Sequence, residues 1–579
     1  MRNNLFNLVV LFFLSMLVYA NSFQNRFAWD DDLFIVQNRE IKTAQPWPKY
    51  FLEGSEGLYR PLRTMLYSVT YRFSGLNPVG YHIVGKTLNA LVVCVLYALL
   101  VLLFTDSRAA FWGALLFALH PLHTERVTFI TASYDIMGDL FWLSSVVCYV
   151  AGRRGRGEWY FVLSMVLFTL GLFSSETAAV APLVIILYDL TIGSEKGEGW
   201  KFAALRSKIV WVPFLVLLLA YLSIRSSVLG TVARSGTSAF NTDPIGNYVT
   251  MSGVVVQYFK LLLIPWPLVV VRDVTQAVAP FSNLLLLSAL FVSVLIVTAL
   301  LYCKKNPMPA FSFLWFFVVL SPNLNFIPTG TLMAERYVYI PSAMLSFFVA
   351  LVFRETSETQ KQKAVFWCLA VATVFFVMTA ARNHVWRNET ALWADAVNTS
   401  PRGSSVVANL SVALKDIGQN DQAEKLLLYA LRVNAADPLL LEKLGGVYMN
   451  VGRLDEAEKA YLQIPQNPKN WYGAQLNIAV IRMRQGKSAE AVKPLEEILE
   501  KYPDEAKALN DYAYVLISLE RKGWSSALVR AFANSGDVEY IKNLAVSYQV
   551  TGNAVAAKKV AQIGLYLDPQ NEKLLTVLK

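Results

Sequence analysis

Trp29-Asp30-Asp31-Asp32 sets three carboxylates side by side directly after the first apolar run of the chain. Adjacent carboxylates repel, which raises the proton affinity of one of them and suits it to general-base work. The same triplet offers a D-x-D pair, Asp30 and Asp32, to a divalent cation such as Mg²⁺ or Mn²⁺. A solvated acidic loop is the bland alternative. Asn38, Tyr59-Arg60-Pro61-Leu62 and Gly80-Tyr81-His82 follow. Further on come His120-Pro121-Leu122-His123-Thr124-Glu125 with Asp135 and Asp139, then Ser174-Ser175-Glu176-Thr177, then Ala334-Glu335-Arg336-Tyr337. Arg60 and Arg336 carry planar guanidinium forks that match phosphate oxygens in bidentate fashion. His120 and His123 read either as acid–base groups or as interfacial hydrogen-bonding groups, and Glu335–Arg336 either as site residues or as an ion pair. Ionisable residues at a membrane interface are functional candidates by default.

These groups sit between apolar runs. The 579 residues are 55% hydrophobic and 16% charged, with mean hydropathy +0.40. A soluble domain carries about 25% charged residues, so a bilayer accounts for the deficit. Apolar runs end near Ala381, and from Asn383 the chain turns polar and helical. The expected division is therefore 1–382 and 383–579. The net charge of +10 does not point to nucleic acid, because the basic residues fall in short loops between apolar runs. Cys94, Cys148, Cys303 and Cys368 lie in or beside those runs and read as packing residues. No cysteine–histidine cluster has zinc spacing.

A spanning helix needs about 20 apolar residues. Candidates are 5–22, 81–104, 136–151, 159–173, 178–191, 209–224, 284–303, 337–353 and 364–381, with the shorter 109–120 and 311–320. Residues 5–20 resemble the core of a signal peptide, but the acidic triplet beyond them favours an uncleaved span. Arg153, Arg154 and Arg156, then Lys196, Lys201, Arg206 and Lys208, then Lys304 with Lys305, and Lys361 with Lys363 mark cytoplasmic loops. About eleven spans satisfy them with the N-terminus inside. Residues 249–266 then read as re-entrant or interfacial. The loops around 29–32, 120–135, 174–177, 227–247 and 321–336 and the whole tail fall on the outer side.

In the tail, Gly418, Gly452 and Gly486 recur every 34 residues, as do Ala423, Ala457 and Ala491. Pro438, Pro503 and Pro569 close units. Thirty-four is the period of the TPR helix–turn–helix, and about five units are expected, with a degenerate one between 506 and 538. Such an α-solenoid binds extended peptides or proteins on its concave face.

Together the motifs resemble the transmembrane and TPR-containing protein O-mannosyltransferases of the GT-C glycosyltransferase group, taken as a bacterial-type member. Matching stretches run from Asp30-Asp31 through Ile35 and Asn38, Tyr59-Arg60-Pro61-Leu62, Gly80-Tyr81-His82 and His120-Pro121 through Glu125 to Asp135. They continue with Glu176-Thr177, Tyr188-Asp189, Glu335-Arg336-Tyr337, Tyr339-Pro341, and Asn383, Trp386, Leu392-Trp393 and Ser400-Pro401. The chain departs at Ser133, where arginine is usual, and at Ser175, where lysine is usual, losing positive charge from the outer face both times.

The resemblance implies an all-α fold, a GT-C-type membrane domain followed by the solenoid. It also implies a polyprenyl-phosphate sugar donor, a catalytic carboxylate at Asp30 or Asp31, and donor-phosphate contacts at Arg60 and Arg336. Asp32, His82, His120, His123, Glu125, Asp135, Glu176 and Glu335 complete the candidate site. The expectation is inverting transfer to serine or threonine hydroxyls of an extracytoplasmic protein recruited by the repeats, at the outer face of a bacterial inner membrane. A lipid or polysaccharide acceptor is one rival. A non-catalytic TPR scaffold is the other, against which the acidic triplet speaks.

Overall fold

The structure is a computed structural model that describes residues 2–43, 45–193, 200–230, 243–272, 274, 282–326, 331–401, 403–465, 471–568 and 571–579, with the backbone alone for 200–210. Lys196, most of the 227–247 loop and Pro569 lie outside the described residues. Among these residues the regular elements are helices, and the chain falls into two compact units, Met1–Ser400 and Pro401–Lys579.

The first unit contains α1 (Arg2–Leu17), α2 (Pro61–Ser74), α3 (Pro78–Phe104), α4 (Ser107–Leu119), α5 (Thr124–Thr128), α6 (Ile136–Arg153), α7 (Trp159–Leu172) and α8 (Ala181–Leu190). It continues with α9 (Trp200–Leu229), α10 (Pro244–Leu263), α11 (Asn283–Tyr302), α12 (Pro307–Leu320), α13 (Ala343–Glu355), α14 (Glu358–Asn383) and α15 (Glu389–Thr399). Helix starts follow local chemistry. Asn77, Asp106 and Asp243 cap α3, α4 and α10 by accepting backbone N–H bonds, and α3 and α10 then open with proline, whose missing N–H costs nothing at that position.

Among the described residues, six helical segments are long and apolar enough to cross a bilayer: Pro78–Phe104, Ile130–Arg153, Trp211–Leu229, Asn283–Tyr302, Glu335–Glu355 and Glu358–Arg387. Asn3–Leu17, Ser107–Leu119 and Trp159–Leu172 are shorter apolar helices. Residues 249–266 lie mostly in α10, one uninterrupted helix that packs Tyr258, Leu261 and Leu262 against α12 and α13. No re-entrant turn breaks it.

Helices in lipid gain little from the hydrophobic effect against one another, so close packing holds them. α3 lies against α1, α4 and α6, and α4 against α13. At Gly113 an added Cβ would sit 2.6 Å from the Ser346 carbonyl oxygen, so only glycine permits that approach. Trp142, Trp315 and Phe347 fill the centre, while α11 and α14 turn Leu284, Leu287, Leu290, Phe366, Val374 and Val377 outward. All four cysteines are free thiols.

The second unit holds five helix pairs, from Ser404–Asp416 with Asn420–Val433 to Val538–Val550 with Ala554–Leu567, closed by Glu572–Leu578. Ala423, Ala457 and Ala491 are fully buried where the helices of a pair cross. Gly418, Gly452 and Gly486 take φ near +78° (79°, 78° and 76°) at the first helix's end, the left-handed cap glycine adopts most cheaply. Glu520 takes the same left-handed turn at φ 54°, one 34-residue period after Gly486. The degenerate unit therefore keeps the turn although Glu520 and Ser525 stand where the preceding units have glycine and alanine.

Candidate active site

The acidic loop is built onto its neighbours residue by residue. Asp31, 1% exposed, accepts hydrogen bonds from the Ala28 N–H (3.0 Å) on one oxygen and from the Thr131 N–H (2.8 Å) and hydroxyl (2.6 Å) on the other. Burial pushes its carboxyl up to about 7; these donors pull the other way, and the Asp30 charge adds to the rise. Asp31 thus has three partners inside the fold and almost no open face.

Asp30 is partly exposed and lies within electrostatic reach of the Arg336 guanidinium. Trp29, over whose ring the Arg336 guanidinium lies 5.5 Å from the centroid, is in the left-handed region at φ 56°, a strained conformation for a bulky residue. Its N–H donates to Glu389 (2.9 Å), and its ring stacks on Phe129 at 5.4 Å, which stacks on Trp386 at 5.3 Å. Trp393 meets Trp29 edge-on. Asp32 points away and accepts from the Gln37 amide at 2.5 Å.

Arg336 ion-pairs with Glu125, donates its backbone N–H to the same carboxylate at 3.1 Å, and lies over the Trp29 and Tyr337 rings. Glu125 is 1% exposed, so the Arg336 guanidinium is held in one place by a buried carboxylate. Glu335 is buried; it accepts from the Val269 N–H at 2.5 Å and faces Arg272 at 3.8 Å.

Arg60 belongs to a second cluster. Its Nη1 meets Asp135 at 2.8 Å and its Nε meets Glu176 at 2.6 Å. Arg63 also reaches Asp135 (2.9 Å), Arg225 pairs with Glu176, and Arg126 bridges to Asp139 (2.7 Å). Asp139 also accepts from Thr177 and Trp142. Burial works against the Glu176 carboxylate, but Arg60 and Arg225 outweigh it and hold the group below its ordinary range. Four guanidinium groups thus face three carboxylates.

The histidines hold loops. His82 bonds the Asn25 carbonyl oxygen (3.0 Å), His120 that of Leu262 (3.0 Å) and His123 the Ser342 hydroxyl (2.8 Å). The two departures from the family pattern are packing positions here. A Cβ at Gly85 would meet Ser133 Oγ at 2.2 Å, and one at Gly138 would meet Ser175 Cβ at 2.5 Å. Their missing charge is matched by Arg63, Arg126 and Arg225, which sequence reasoning passed over. Arg63 stands three residues after Arg60, about one helical turn, a spacing from which it was legible.

The structure also moves the segment 383–400. Sequence reading placed it in the tail, but its aromatic residues and Asn383 pack within the first unit. Asn383 donates to the Val18 carbonyl oxygen (3.0 Å) and accepts from Thr128 (3.0 Å). As for a cation, Asp31 is engaged by three donors and Asp32 by Gln37. Among the described residues no group of three or more His, Cys, Asp or Glu side chains converges as a metal site. No step below runs through a metal.

The fold and these clusters define an integral membrane protein of helical spans, with an array of TPR repeats after them. Tetratricopeptide repeat family models match residues 409–470 and 474–505. The human protein O-mannosyl-transferase TMTC3 is 25% identical over 96% of this chain and 67% of its own length. The Caenorhabditis elegans protein O-mannosyl-transferase F38B6.6 is 25% identical over 74% of this chain and 63% of its own. Human protein O-mannosyl-transferase TMTC1 is 25% identical over 74% and 55%. The chain is thus a homologue of the TPR-bearing protein O-mannosyl-transferases and spans about two thirds or less of these relatives' length. A solved thermophilic TPR protein from Thermus thermophilus is 21% identical, covers 30% of this chain and 96% of its own, and superposes with TM-score 0.27.

Proposed function

We propose that this protein transfers a sugar from a polyprenyl-phosphate donor to serine or threonine hydroxyls of a protein, with inversion at the anomeric carbon. The observation that carries the reading is the nearness of a partly exposed Asp30 to the Arg336 cation that Glu125 holds. A base and a phosphate-binding group then lie within electrostatic reach of each other.

In this scheme the acceptor oxygen forms its bond to the anomeric carbon as the bond from that carbon to the phosphate oxygen breaks. Its proton passes to Asp30, and both electrons of the broken bond leave with the lipid phosphate. Arg336, held by Glu125, meets the charge developing on that phosphate. One preorganised donor aimed at such charge is worth several kcal/mol, roughly 3–4 by analogy with oxyanion holes. Asp31 positions the loop rather than touching the acceptor, because its carboxylate is closed off by Ala28 and Thr131. Arg60, engaged by Asp135 and Glu176, contributes to the positive wall behind the loop.

The relatives named O-mannosyl-transferases make mannose the first sugar to test. The repeats recruit the acceptor, and the charge pattern of the loops supports a reading with Asp30 and the repeats on the extracytoplasmic side of the membrane and the N-terminus inside. The full chain, reconstituted in liposomes with mannosyl polyprenyl phosphate and a serine- and threonine-rich unfolded protein, should release polyprenyl phosphate and label hydroxyls with the inverted anomer. No label on any hydroxyl across donors of several sugars would refute the reading.

A further inference from the structure

The long apolar helix α3 carries polar side chains on one of its faces. His82, Lys86 and Asn89 stand four and three residues apart, so they share that face, and all three are buried. The segment that leads from α1 to the acidic loop packs against them. The Phe23 ring lies 4.8 Å from Lys86 Nζ, and His82 Nε2 meets the Asn25 carbonyl oxygen at 3.0 Å. Tyr339 donates to Asn89 Oδ1 at 2.7 Å, and the fully buried Tyr19 lies within electrostatic reach of Tyr339.

Four buried polar atoms in this region have no hydrogen-bond partner among the described residues: Lys86 Nζ, Asn89 Nδ2, His82 Nδ1 and the Tyr19 hydroxyl. Such groups are rare in folded proteins, and each calls for an explanation. Their chemistry here is one-sided. The ammonium has three donors and no acceptor, the amide nitrogen only donates, and the phenol can donate. His82 differs, because in the neutral ring Nε2 carries the proton that goes to the Asn25 carbonyl and Nδ1 is left as an acceptor.

Charge singles out Lys86. Among the described residues no carboxylate acts on it, whereas the buried Arg63 and Arg126 meet Asp135 and Asp139. An isolated ammonium in an apolar interior costs far more than an unpaired dipole. Water answers the hydrogen bonds but brings no charge. A neutral lysine removes the charge but leaves Nζ and the other donors unpartnered. A monovalent anion answers both, with one unit of charge for one ammonium. Closure of the four side chains to solvent favours a halide, which gives up its water more cheaply than a doubly charged oxyanion.

We propose that Lys86 Nζ, Asn89 Nδ2 and the Tyr19 hydroxyl bind one halide ion, chloride under ordinary conditions, which fastens the segment 19–25 to α3. The site is independent of the sugar-transfer reading and stands or falls without it.

The test uses the full-length protein in detergent, exchanged into sodium gluconate and then dialysed against radiolabelled chloride. The unmodified protein should retain one chloride ion per chain. Lys86→Met should weaken that binding at least about tenfold, the usual worth of a lost charged hydrogen bond. Asn89→Asp is nearly isosteric and gives Lys86 a carboxylate within the fold, so it too should lose the ion. Replacing gluconate by chloride at equal ionic strength should raise the melting temperature of the unmodified protein by linkage. It should leave that of Asn89→Asp unchanged, which keeps the proposal testable even where Lys86→Met does not fold. Equal retention of chloride by Asn89→Asp and the unmodified protein overturns the proposal. So does an unmodified protein that retains no chloride and melts alike in both salts, since Lys86 would then be buried without an anion.

Discussion

Replacing Asp31 with asparagine separates a positioning carboxylate from a catalytic one. In the folded protein the Asp31 carboxyl is pushed up to about 7, against about 3.9 in an open chain. A raised folded value means that the protonated form is favoured by folding. The stability this confers is complete below about pH 4 and is lost as pH rises through about 7, for a total near 4 kcal/mol at roughly 1.4 kcal/mol per unit. Between pH 5 and 8 about 2.7 kcal/mol of that disappears, which is about a hundredfold in the opening equilibrium of the loop.

Asparagine is neutral and nearly isosteric, so it abolishes the pH term. Its amide nitrogen must face one of the three donors, at a constant cost of about 1–3 kcal/mol for a buried group left unpaired. The loop of Asp31→Asn should thus open more readily than the natural one at pH 5 and no more readily, or less, at pH 8. Hydrogen–deuterium exchange of the Ala28 and Thr131 amides, corrected for the intrinsic base-catalysed rate, reads this directly. Parallel pH dependence in the two proteins would refute the argument, since it would mean that the Asp31 charge does not change with loop opening.

Asp30→Asn should lower transfer by about 10²–10⁴-fold, the usual share of a general base; retained activity would remove Asp30 from the chemistry. Arg336→Lys keeps the charge but loses the fork, so donor affinity should fall. Arg336→Ala should also lower thermal stability by about 3–5 kcal/mol, because it leaves Glu125 buried without its partner; an unchanged melting temperature would contradict that burial. Breaking the Glu176 bridges with Glu176→Gln should destabilise the protein above the ordinary carboxylate range and matter less in acid, where Glu176 is protonated; a pH-independent loss would exclude that charge as the cause. A phosphatase reporter active only outside the cytoplasm, fused after Lys579, should be active; a fluorescent cytoplasmic fusion would separate the repeats from the Asp30 face.

The repeat tail was legible because its signals are local: a glycine at a left-handed turn and an alanine at a helix crossing recur at a fixed period. Even the degenerate unit betrayed itself by spacing, with Glu520 in glycine's place. The acidic loop was legible as residue types, but the division of labour within it was not. That Asp31 faces inward depends on Thr131, a hundred residues away in the chain, and no periodicity reports such a pairing. Lys86 escaped for a different reason. It stands near the start of an apolar run, where a basic residue normally reaches out to the interface, and only the fold reveals that its ammonium stays buried. Ser133 and Ser175 looked like lost charge because sequence comparison records side chains one position at a time, whereas the field around Asp135 is set by arginines from several segments.

Asn21, Asn25 and Trp29 bind Ala380, Asn383 and Glu389 across separations of 359, 358 and 360 residues. During synthesis, at about 5–20 residues per second, the acidic loop therefore waits on the order of twenty seconds to a minute for its platform. Contacts of such range form late in any case, because the intervening loop must first be closed. Until residues 380–393 arrive, Asp30 and Arg336 have no rigid frame to share. A ribosome-bound or prematurely terminated chain would thus insert its spans into the membrane yet be unable to bring base and cation together, so that competence is acquired only when the last span is in place.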